Sequence, residues 1–423
     1  MVVSFDRLHA GYIGCFGNDW IETPHFDRLA TEAVVFDQHF CENLDPVAAN
    51  HAWWTGRCQF PLDAIRQREC PSFLEPLHAG GVSTCLIVES DGGNDSAIAP
   101  RFGEVITAHG IDGFDAAETD TPFARLVHRT REWLADSHPR TGPVLLWVKS
   151  RGIPSPWSPP RVFGELYLDE FGLGADVAEG DDTGGEGMPP DDSDSPDERD
   201  PASGADGSLD WRYAAAMYAA YVTLVDRGLG RLLAAVRQTP GWEGALLIVA
   251  ADAGQPLGEH APVGAERVPL RSESLQTPLW VQAPGFDQGG TRRQALVQSI
   301  DLPPTLCEWL CGTADGARLL VGESSSPAAG RSLIPLIANQ DVTPRESLLM
   351  GYGRAQWAVR TPEFLYVEPG DDSSETDEEA VLFEKPHDRW DQSDVLSQYP
   401  QIAAELRARL RGGVQQLQDC ASR

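Results

Sequence analysis

Two acidic residues stand where an α/β protein could carry out chemistry. Asp6 follows the apolar run Val2–Phe5, and Asp252 ends the apolar run 246–251. Ligands of open α/β sheets gather at the carboxyl ends of the strands, so these two side chains are the first candidates for a site. Two carboxylates at one sheet edge could hold a hard cation such as calcium or magnesium. Two ligands alone are too few, and each aspartate could instead cap a helix or a turn.

The elements that position these acids follow from the apolar pattern. Short apolar runs bounded by Gly, Pro or Asp alternate with helical periodicity, which is typical of a parallel sheet covered by helices on both faces. The sequence therefore predicts an α/β fold with a mostly parallel central sheet. The predicted strands are Val2–Phe5, Val82–Val88, Val144–Val148, Ala245–Ala250 and Pro278–Val281, and the clearest predicted helix spans Trp211 to Arg237.

The pattern changes after the turn at residues 330–333. Short β segments and a final helix from Ile402 to about Gln418 follow, which predicts a small C-terminal subdomain of antiparallel strands with a terminal helix. We therefore expect an α/β domain over residues 1–340 and a C-terminal subdomain over residues 341–423. The segment 172–210 is rich in Gly, Pro, Ser and acidic residues and nearly lacks large apolar groups, so we predict a disordered acidic insert.

Composition limits the partners and the compartment. The 423-residue chain carries a formal net charge of -31, which excludes nucleic acid and anionic membrane surfaces as partners because both would repel it. The first residues do not resemble a signal peptide, and no run reaches the roughly 20 apolar residues of a membrane span. We expect a soluble cytoplasmic protein, with a leader removed by a truncated start as the alternative. The eight cysteines lack zinc-type spacing, which favours reduced thiols.

Several ordered motifs resemble one family. The segment SFDRLHAGYIGCFGN at 4–18 and the segment ETPHFDRLA at 22–30 resemble the opening of sulfatases in the alkaline phosphatase superfamily. TGR at 55–57 and ADAGQPLGEH at 251–260 resemble later signatures of that family, as do QTPL at 276–279 and DLPPTL at 301–306. The resemblance covers residues 1 to 340, interrupted by the acidic insert, and implies an alkaline phosphatase-like fold.

The resemblance also implies a nucleophile that this chain lacks. Sulfatases carry a C/S-x-P-S-R segment before TGR, and its first residue is oxidised to formylglycine, whose hydrated aldehyde attacks the sulfate ester. Counting back from TGR, that position is Val47, and the activating arginine position is Asn50. A valine side chain can neither become an aldehyde nor attack an ester, so we expect no catalytic residue at this position.

The metal ligands implied by the resemblance are also reduced in number. Sulfatases bind calcium through two acids after the first strand and an Asp plus Asn or His after the later strand. Here these positions are Asp6, Arg7, Asp252 and Ala253, so we expect residual ligation by the two aspartates and weakened calcium binding. Two interpretations of Arg7 are open. It could replace the cation by pairing with Asp6 or Asp252, or it could face solvent.

Other positions of the implied pocket differ in the same way. Pro154 stands where the family has a sulfate-binding histidine, and Arg267 corresponds most nearly to its downstream lysine. Arg267 and His260 are candidate contacts for an anion, although a lone basic residue beside acids, such as Arg267, more often forms a surface ion pair. Thr55, Cys58 and Cys41 lie nearby in sequence and are candidates for a relocated nucleophile. His51 with His260 is an open alternative as an acid–base pair.

These observations predict a sulfatase homologue that has lost sulfuric-ester hydrolysis and binds a partner protein or an anionic small molecule. One alternative is an active hydrolase of sulfate or phosphate esters that uses an altered mechanism. The other is a structural subunit that assembles with an active sulfatase. Purified protein that hydrolyses such esters would favour the first alternative, and copurification with an intact sulfatase would favour the second.

Overall fold

The computed structural model describes residues 1–58, 72–90, 101–136, 142–153, 155, 157–171, 210–263, 265, 268–312, 329–371 and 379–422. The predicted acidic insert therefore lies outside the described residues, apart from Asp210. The described strands are β1 Val2–Phe5, β2 Val34–Phe36, β3 His39–Phe40, β4 Ser83–Glu89, β5 Glu104–Ala108, β6 Val144–Ser150, β7 Leu247–Ala251, β8 Leu279–Gln282, β9 Arg292–Arg293, β10 Val297–Gln298, β11 Leu348–Tyr352, β12 Gln356–Arg360, β13 Phe364–Pro369 and β14 Val381–Glu384.

Helices connect and cover these strands. The described α-helices are α1 Pro24–Glu32, α2 Pro46–Thr55, α3 Leu74–Ala79, α4 Pro122–Ala135, α5 Arg161–Leu168, α6 Trp211–Gln238, α7 Ser272–Leu275, α8 Leu302–Cys311, α9 Ile334–Ile337 and α10 Pro400–Ser422. Short 3₁₀ turns lie between several of them. In the part of the chain described here, no helix combines the length and the apolar character that crossing a bilayer requires.

The central sheet confirms the predicted fold class. Its order is β5-β4-β6-β1-β7-β8-β2-β9, with β1, β6 and β7 adjacent at its middle. Every described pairing in this sheet is parallel except those of β8, which runs antiparallel to both β7 and β2. The apolar run 278–281 predicted a strand here, but its direction depends on the chain connection and could not be deduced from the run itself.

The alternation of side chains along the strands divides the core into two layers. In β1, Val3 and Phe5 pack under α1, α4, α5 and α6, while Val2 faces the opposite layer with α2, α3 and α8. The 28-residue helix α6 begins at Asp210, whose side chain accepts the amide hydrogen of Arg212. Both faces of the sheet are therefore buried, as the near-continuous apolar strands predicted.

The C-terminal region is an antiparallel meander in the order β11-β12-β13-β14. One face of this sheet, including Trp357, packs against apolar residues of α10 such as Leu410. The opposite face, including Met350, packs against Phe40 and Leu275 of the larger domain. The small antiparallel subdomain with a terminal helix is confirmed, and the boundary near residue 340 stays a prediction.

Candidate functional site

Three adjacent strands bring the predicted acids together. β1 lies between β6 and β7, with Phe5 opposite Ser150 on one side and Ala251 on the other. The backbone N–H of Asp252 donates to the carbonyl of Phe5 at 3.0 Å, so Asp6 and Asp252 leave the sheet at the same edge. The expectation that these two carboxylates meet at the carboxyl ends of the strands is confirmed.

A lysine lies between the strands at this edge. The ammonium of Lys149, in β6, donates to Oδ1 of Asp6 at 2.9 Å and to Oδ2 at 3.1 Å. Lys149 is 3% exposed, so this is a largely desolvated ion pair. Sequence reasoning did not single out Lys149, although a lysine directly after the apolar run 144–148 was a usable signal.

Arg7 does not take the role that was suggested for it. Its backbone N–H donates to Oδ1 of Asp252 at 3.0 Å, while its guanidinium donates to Oε1 of Gln255 at 3.3 Å. The hypothesis that its guanidinium pairs with Asp6 or Asp252 is therefore wrong. The reason is geometric, because Arg7 adopts a left-handed φ of 57° that directs its amide, rather than its side chain, to Asp252.

Helix α6 and the loop after β6 hold the backbone around Asp6. The hydroxyl of Tyr218 donates to the carbonyl of Arg7 at 2.8 Å and accepts the N–H of His9 at 2.8 Å. The N–H of Ile153 donates to the carbonyl of Asp6 at 3.3 Å. Gly152 makes this approach possible, since a Cβ there would lie 1.5 Å from the carbonyl oxygen of Asp6.

Two buried acids in this pocket favour the neutral form. Burial raises the pKa of Asp252 well above its ordinary value, and the neighbouring Asp6 carboxylate raises it further, against the opposing effect of Lys149. Burial also raises the pKa of Glu42 well above its usual range, with Asp252 adding to the effect. Within the described ranges, neither carboxyl oxygen of Glu42 has a hydrogen-bond partner. Sequence reasoning missed Glu42, because it lies in a loop without any motif.

The donor set does not fit a calcium site. Both oxygens of Asp6 already accept hydrogen bonds from an ammonium group, and Oδ1 of Asp252 accepts one from a backbone amide. Calcium takes six to eight oxygen ligands from carboxylates and carbonyls. Among the residues that the structure describes, no group of three or more His, Cys, Asp or Glu side chains is arranged to hold a metal ion.

Val47, the position that the family resemblance assigns to the nucleophile, lies in the first turn of α2. Val47 is 55% exposed there. The N-terminus of a helix is where a tetrahedral anion would bind, but the carboxylate of Asp45 caps this one by accepting the N–H of Ala48 at 2.9 Å. Asn50 is buried, and its amide donates back to the carbonyl of Pro46 at 2.8 Å. The start of α2 therefore presents negative charge and an aliphatic side chain.

The candidates for a relocated nucleophile have structural roles. The hydroxyl of Thr55 donates to the carbonyl of His51 at 2.8 Å within α2. Cys58 packs against the C-terminal core. Cys41 is buried, and burial together with the nearby Glu42 and Asp252 carboxyls raises the pKa of its thiol well above the ordinary value. The Thr55 hydroxyl thus serves a backbone contact within α2, and the raised pKa of the Cys41 thiol disfavours its thiolate form.

The His260 ring contacts two acceptors, one on Glu273 and one on Asp391. Its Nδ1 lies 2.8 Å from Oε1 of Glu273, and its Nε2 lies 3.1 Å from the carbonyl oxygen of Asp391. Both ring nitrogens are thus engaged, which leaves neither for an acid–base pair with His51. Pro154 and Arg267, predicted to mark the anion site, lie outside the described residues.

A known protein family and a known protein resemble this chain in sequence. The family model described as Sulfatase matches residues 1–313. The multifunctional alkaline phosphatase superfamily protein PehA of Trinickia caryophylli is 32% identical over 141 residues, which are 32% of this chain and 25% of that protein. The match thus spans a quarter of the length of that relative.

Solved structures resemble the whole chain in fold. The phosphonate monoester hydrolase of Agrobacterium radiobacter superposes with a TM-score of 0.70 at 16% identity, covering 98% of this chain and 95% of that one. A protein solved in complex with its substrate D-glucosamine-2-N,6-O-disulfate superposes with a TM-score of 0.73 at 15% identity, covering 99% and 98% of the two chains. At these identities the likeness concerns the fold alone.

Proposed function

Because the chain belongs to the sulfatase family, we propose that it keeps the family fold, has lost sulfuric-ester hydrolysis, and serves as a binding protein for a partner protein or an anionic small molecule. One observation carries the proposal. Val47 occupies the position that the family resemblance assigns to the oxidised nucleophile, and its side chain has no heteroatom. Covalent catalysis needs an attacking group at that atom, so the reaction cannot begin there.

The surroundings of Val47 support the same conclusion. The activating arginine position holds Asn50, whose amide is committed to the carbonyl of Pro46. The Asp45 carboxylate at the start of α2 would repel a sulfate group. Val47 therefore lacks the attacking atom, and the described start of α2 offers a carboxylate rather than a positive charge to an ester.

The charges of the pocket support a resting state without a divalent cation. Lys149 supplies one positive charge to Asp6, and the raised pKa values of Asp252 and Glu42 favour their neutral forms. The four side chains are Asp6, Lys149, Asp252 and Glu42. With one charged ammonium and one charged carboxylate among them, their net charge is close to zero. Lys149, rather than Arg7, is thus our candidate for the internal replacement of the cation.

An activity screen tests this proposal. The purified chain is assayed with 4-nitrophenyl sulfate, 4-nitrophenyl phosphate and a phenylphosphonate monoester, with and without calcium chloride, beside an active sulfatase as positive control. We expect no turnover above the rate without protein. Turnover that disappears in Asp252→Asn but persists in the exposed-surface variant Arg129→Gln would overturn the proposal and favour a hydrolase with an altered mechanism.

A second measurement addresses the structural-subunit alternative. The tagged chain is purified from its native host, and its partners are identified by mass spectrometry. Stoichiometric copurification with a sulfatase that retains the C/S-x-P-S-R segment would replace the binding role with a structural one. Under our proposal, the chain purifies without such a sulfatase.

A further inference from the structure

A cavity beside the C-terminal segment is lined by residues other than those of the aspartate pocket. It has a volume of about 210 Å³ and lies where the loop after β2 and strand β9 meet the C-terminal segment 385–389. Phe16 and Phe40 form apolar parts of its wall. Asp6, Lys149 and Asp252 do not line it, so it is a separate site.

Four basic side chains line this cavity: Arg292, Arg360, Lys385 and Arg389. Asp37 is the only acidic residue among its lining residues. The chain as a whole has a net charge of -31, so a cavity with this excess of positive charge contrasts with the rest of the protein. Such an excess attracts anions and raises their local concentration.

Two of the four cations are neutralised by carboxylates. Nε of Arg292 donates to Oδ2 of Asp37 at 3.0 Å. The ammonium of Lys385 forms a buried ion pair with Asp391 and also donates to the hydroxyl of Ser272 at 3.1 Å. The Asp37 and Asp391 carboxylates are thus engaged by Arg292 and Lys385.

The other two cations have only neutral acceptors. Arg360 is 3% exposed, and its guanidinium donates to Oε1 of Gln38 at 3.0 Å and to the carbonyl of Phe364 at 3.4 Å. Arg389 donates to the carbonyl of Phe16 at 2.6 Å. Across the described ranges, neither guanidinium has an ion pair with a carboxylate. The charges of Asp391 and Glu363 act on Arg360, and that of Asp37 acts on Arg389, but in the described part of the chain none of these carboxylates forms an ion pair with either guanidinium.

Burial acts on both groups, and a neighbouring like charge acts on Arg389. Burial lowers the pKa of Arg360 to about 10, so it stays charged at neutral pH. Burial also lowers the pKa of Arg389, and the neighbouring Arg292 guanidinium lowers it further, whereas Asp37 opposes both. Forked guanidinium donors that line one cavity can bind an oxyanion through paired hydrogen bonds.

We propose that this cavity binds a tetrahedral dianion, either inorganic phosphate or sulfate or the head group of a small phosphate monoester. The two arginines without carboxylate partners supply the matching charge, and the forked guanidinium donors suit tetrahedral oxyanions. The Phe16 and Phe40 rings provide an apolar wall for a small organic group. The inference does not depend on the proposed loss of hydrolysis, because none of these residues belongs to the aspartate pocket.

Calorimetric titration tests the proposal with three probes: inorganic phosphate, sulfate and phenyl phosphate, each at constant ionic strength maintained with chloride. We expect saturable binding of at least one probe to the unmodified protein. Binding should weaken at least tenfold in Arg389→Gln and in Arg360→Gln. It should be unchanged in Arg129→Gln, which removes the same charge from an exposed helix position.

The relative affinities of the three probes distinguish a free ion from a monoester head group. Tighter binding of phenyl phosphate than of phosphate supports a monoester head group, while tighter binding of phosphate or sulfate supports the free ion. Arg389 is exposed, so Arg389→Gln should fold even where the buried Arg360→Gln does not. No saturable binding of any probe, or unchanged affinity in Arg389→Gln, overturns the proposal. A loss of affinity in Lys149→Ser would also overturn it, because the anion would then lie in the other pocket.

Discussion

The ammonium of Lys149 donates to both carboxylate oxygens of Asp6, at 2.9 and 3.1 Å, although 143 residues separate the two in the chain. The pair lies where the family resemblance implies a divalent cation. A single ammonium balances one carboxylate, and Asp252 can then remain neutral. Under our proposal this ion pair replaces the cation, which leads to the first prediction.

Removing the ammonium should restore some affinity for a hard cation. In Lys149→Ser, the Asp6 oxygens lose their donor, and calcium becomes the available counter-charge for Asp6 and Asp252. We expect calorimetry to detect weak calcium binding, with a Kd on the order of 1 mM, the weak end of protein calcium sites. The unmodified protein and the charge-preserving variant Lys149→Arg should show none. Tight calcium binding at one site in the unmodified protein would contradict the replacement of the cation.

The buried carboxyl of Glu89 should make stability depend on pH. Burial raises its pKa from 4.5 to about 7, against the opposing hydrogen bond from Ser150 and the charge of Arg151. The folded protein holds this proton up to about pH 7, whereas the unfolded chain releases it near pH 4.5. The free energy of unfolding should therefore fall by about 3 kcal/mol as the pH rises across this window.

Urea denaturation at pH 5 and at pH 7.5 isolates this contribution. The variant Glu89→Gln cannot titrate, so its free energy of unfolding should change by about 2 kcal/mol less between the two pH values, which span most of the titration. Glu132→Gln removes a half-exposed carboxylate and should follow the unmodified protein. Equal pH dependence in Glu89→Gln and the unmodified protein would show that Glu89 titrates normally.

Gly152 should be intolerant of any side chain. Its φ is 69°, and a Cβ would lie 1.5 Å from the carbonyl oxygen of Asp6. Gly152→Ala should therefore lower the free energy of unfolding by at least roughly 2 kcal/mol, because the left-handed conformation and the clash act together.

Gly412 offers a matched control for this substitution. It lies inside α10, where a Cβ would meet nothing within 4 Å. Gly412→Ala should raise the free energy of unfolding by about 0.5–1 kcal/mol, since alanine favours the helix. Thermal or urea denaturation measures both changes. A neutral effect of Gly152→Ala would mean that the loop after β6 can move away from Asp6.

The thiol of Cys41 should be unreactive in the folded protein. It is buried, and its raised pKa keeps it protonated near neutral pH. Brief treatment with iodoacetamide at pH 8 should leave Cys41 unmodified, and the same treatment in urea should alkylate it. Peptide mass spectrometry reads both states. Rapid alkylation of Cys41 in the native protein would contradict this prediction and support Cys41 as a relocated nucleophile.

Local sequence patterns predicted much of the fold and one decisive feature of the site. The apolar runs predicted β1, β4, β6, β7 and β8 within a few residues, because burial on both sheet faces leaves a continuous apolar signature. Very short strands such as β9, with two residues, left no such signature. The absence of a heteroatom at Val47 also follows from residue identity alone, since no fold can give valine a nucleophilic atom.

Tertiary structure decided which groups meet. The sequence by itself determined that Asp6 and Asp252 each follow an apolar strand and that Arg7 stands directly after Asp6. Only the fold placed Lys149 on Asp6 and brought Arg360 to the cavity wall beside Gln38. Such contacts join residues far apart in the chain, and their geometry depends on strand order, register and backbone conformation. No local pattern encodes these quantities, because they arise when the whole core packs.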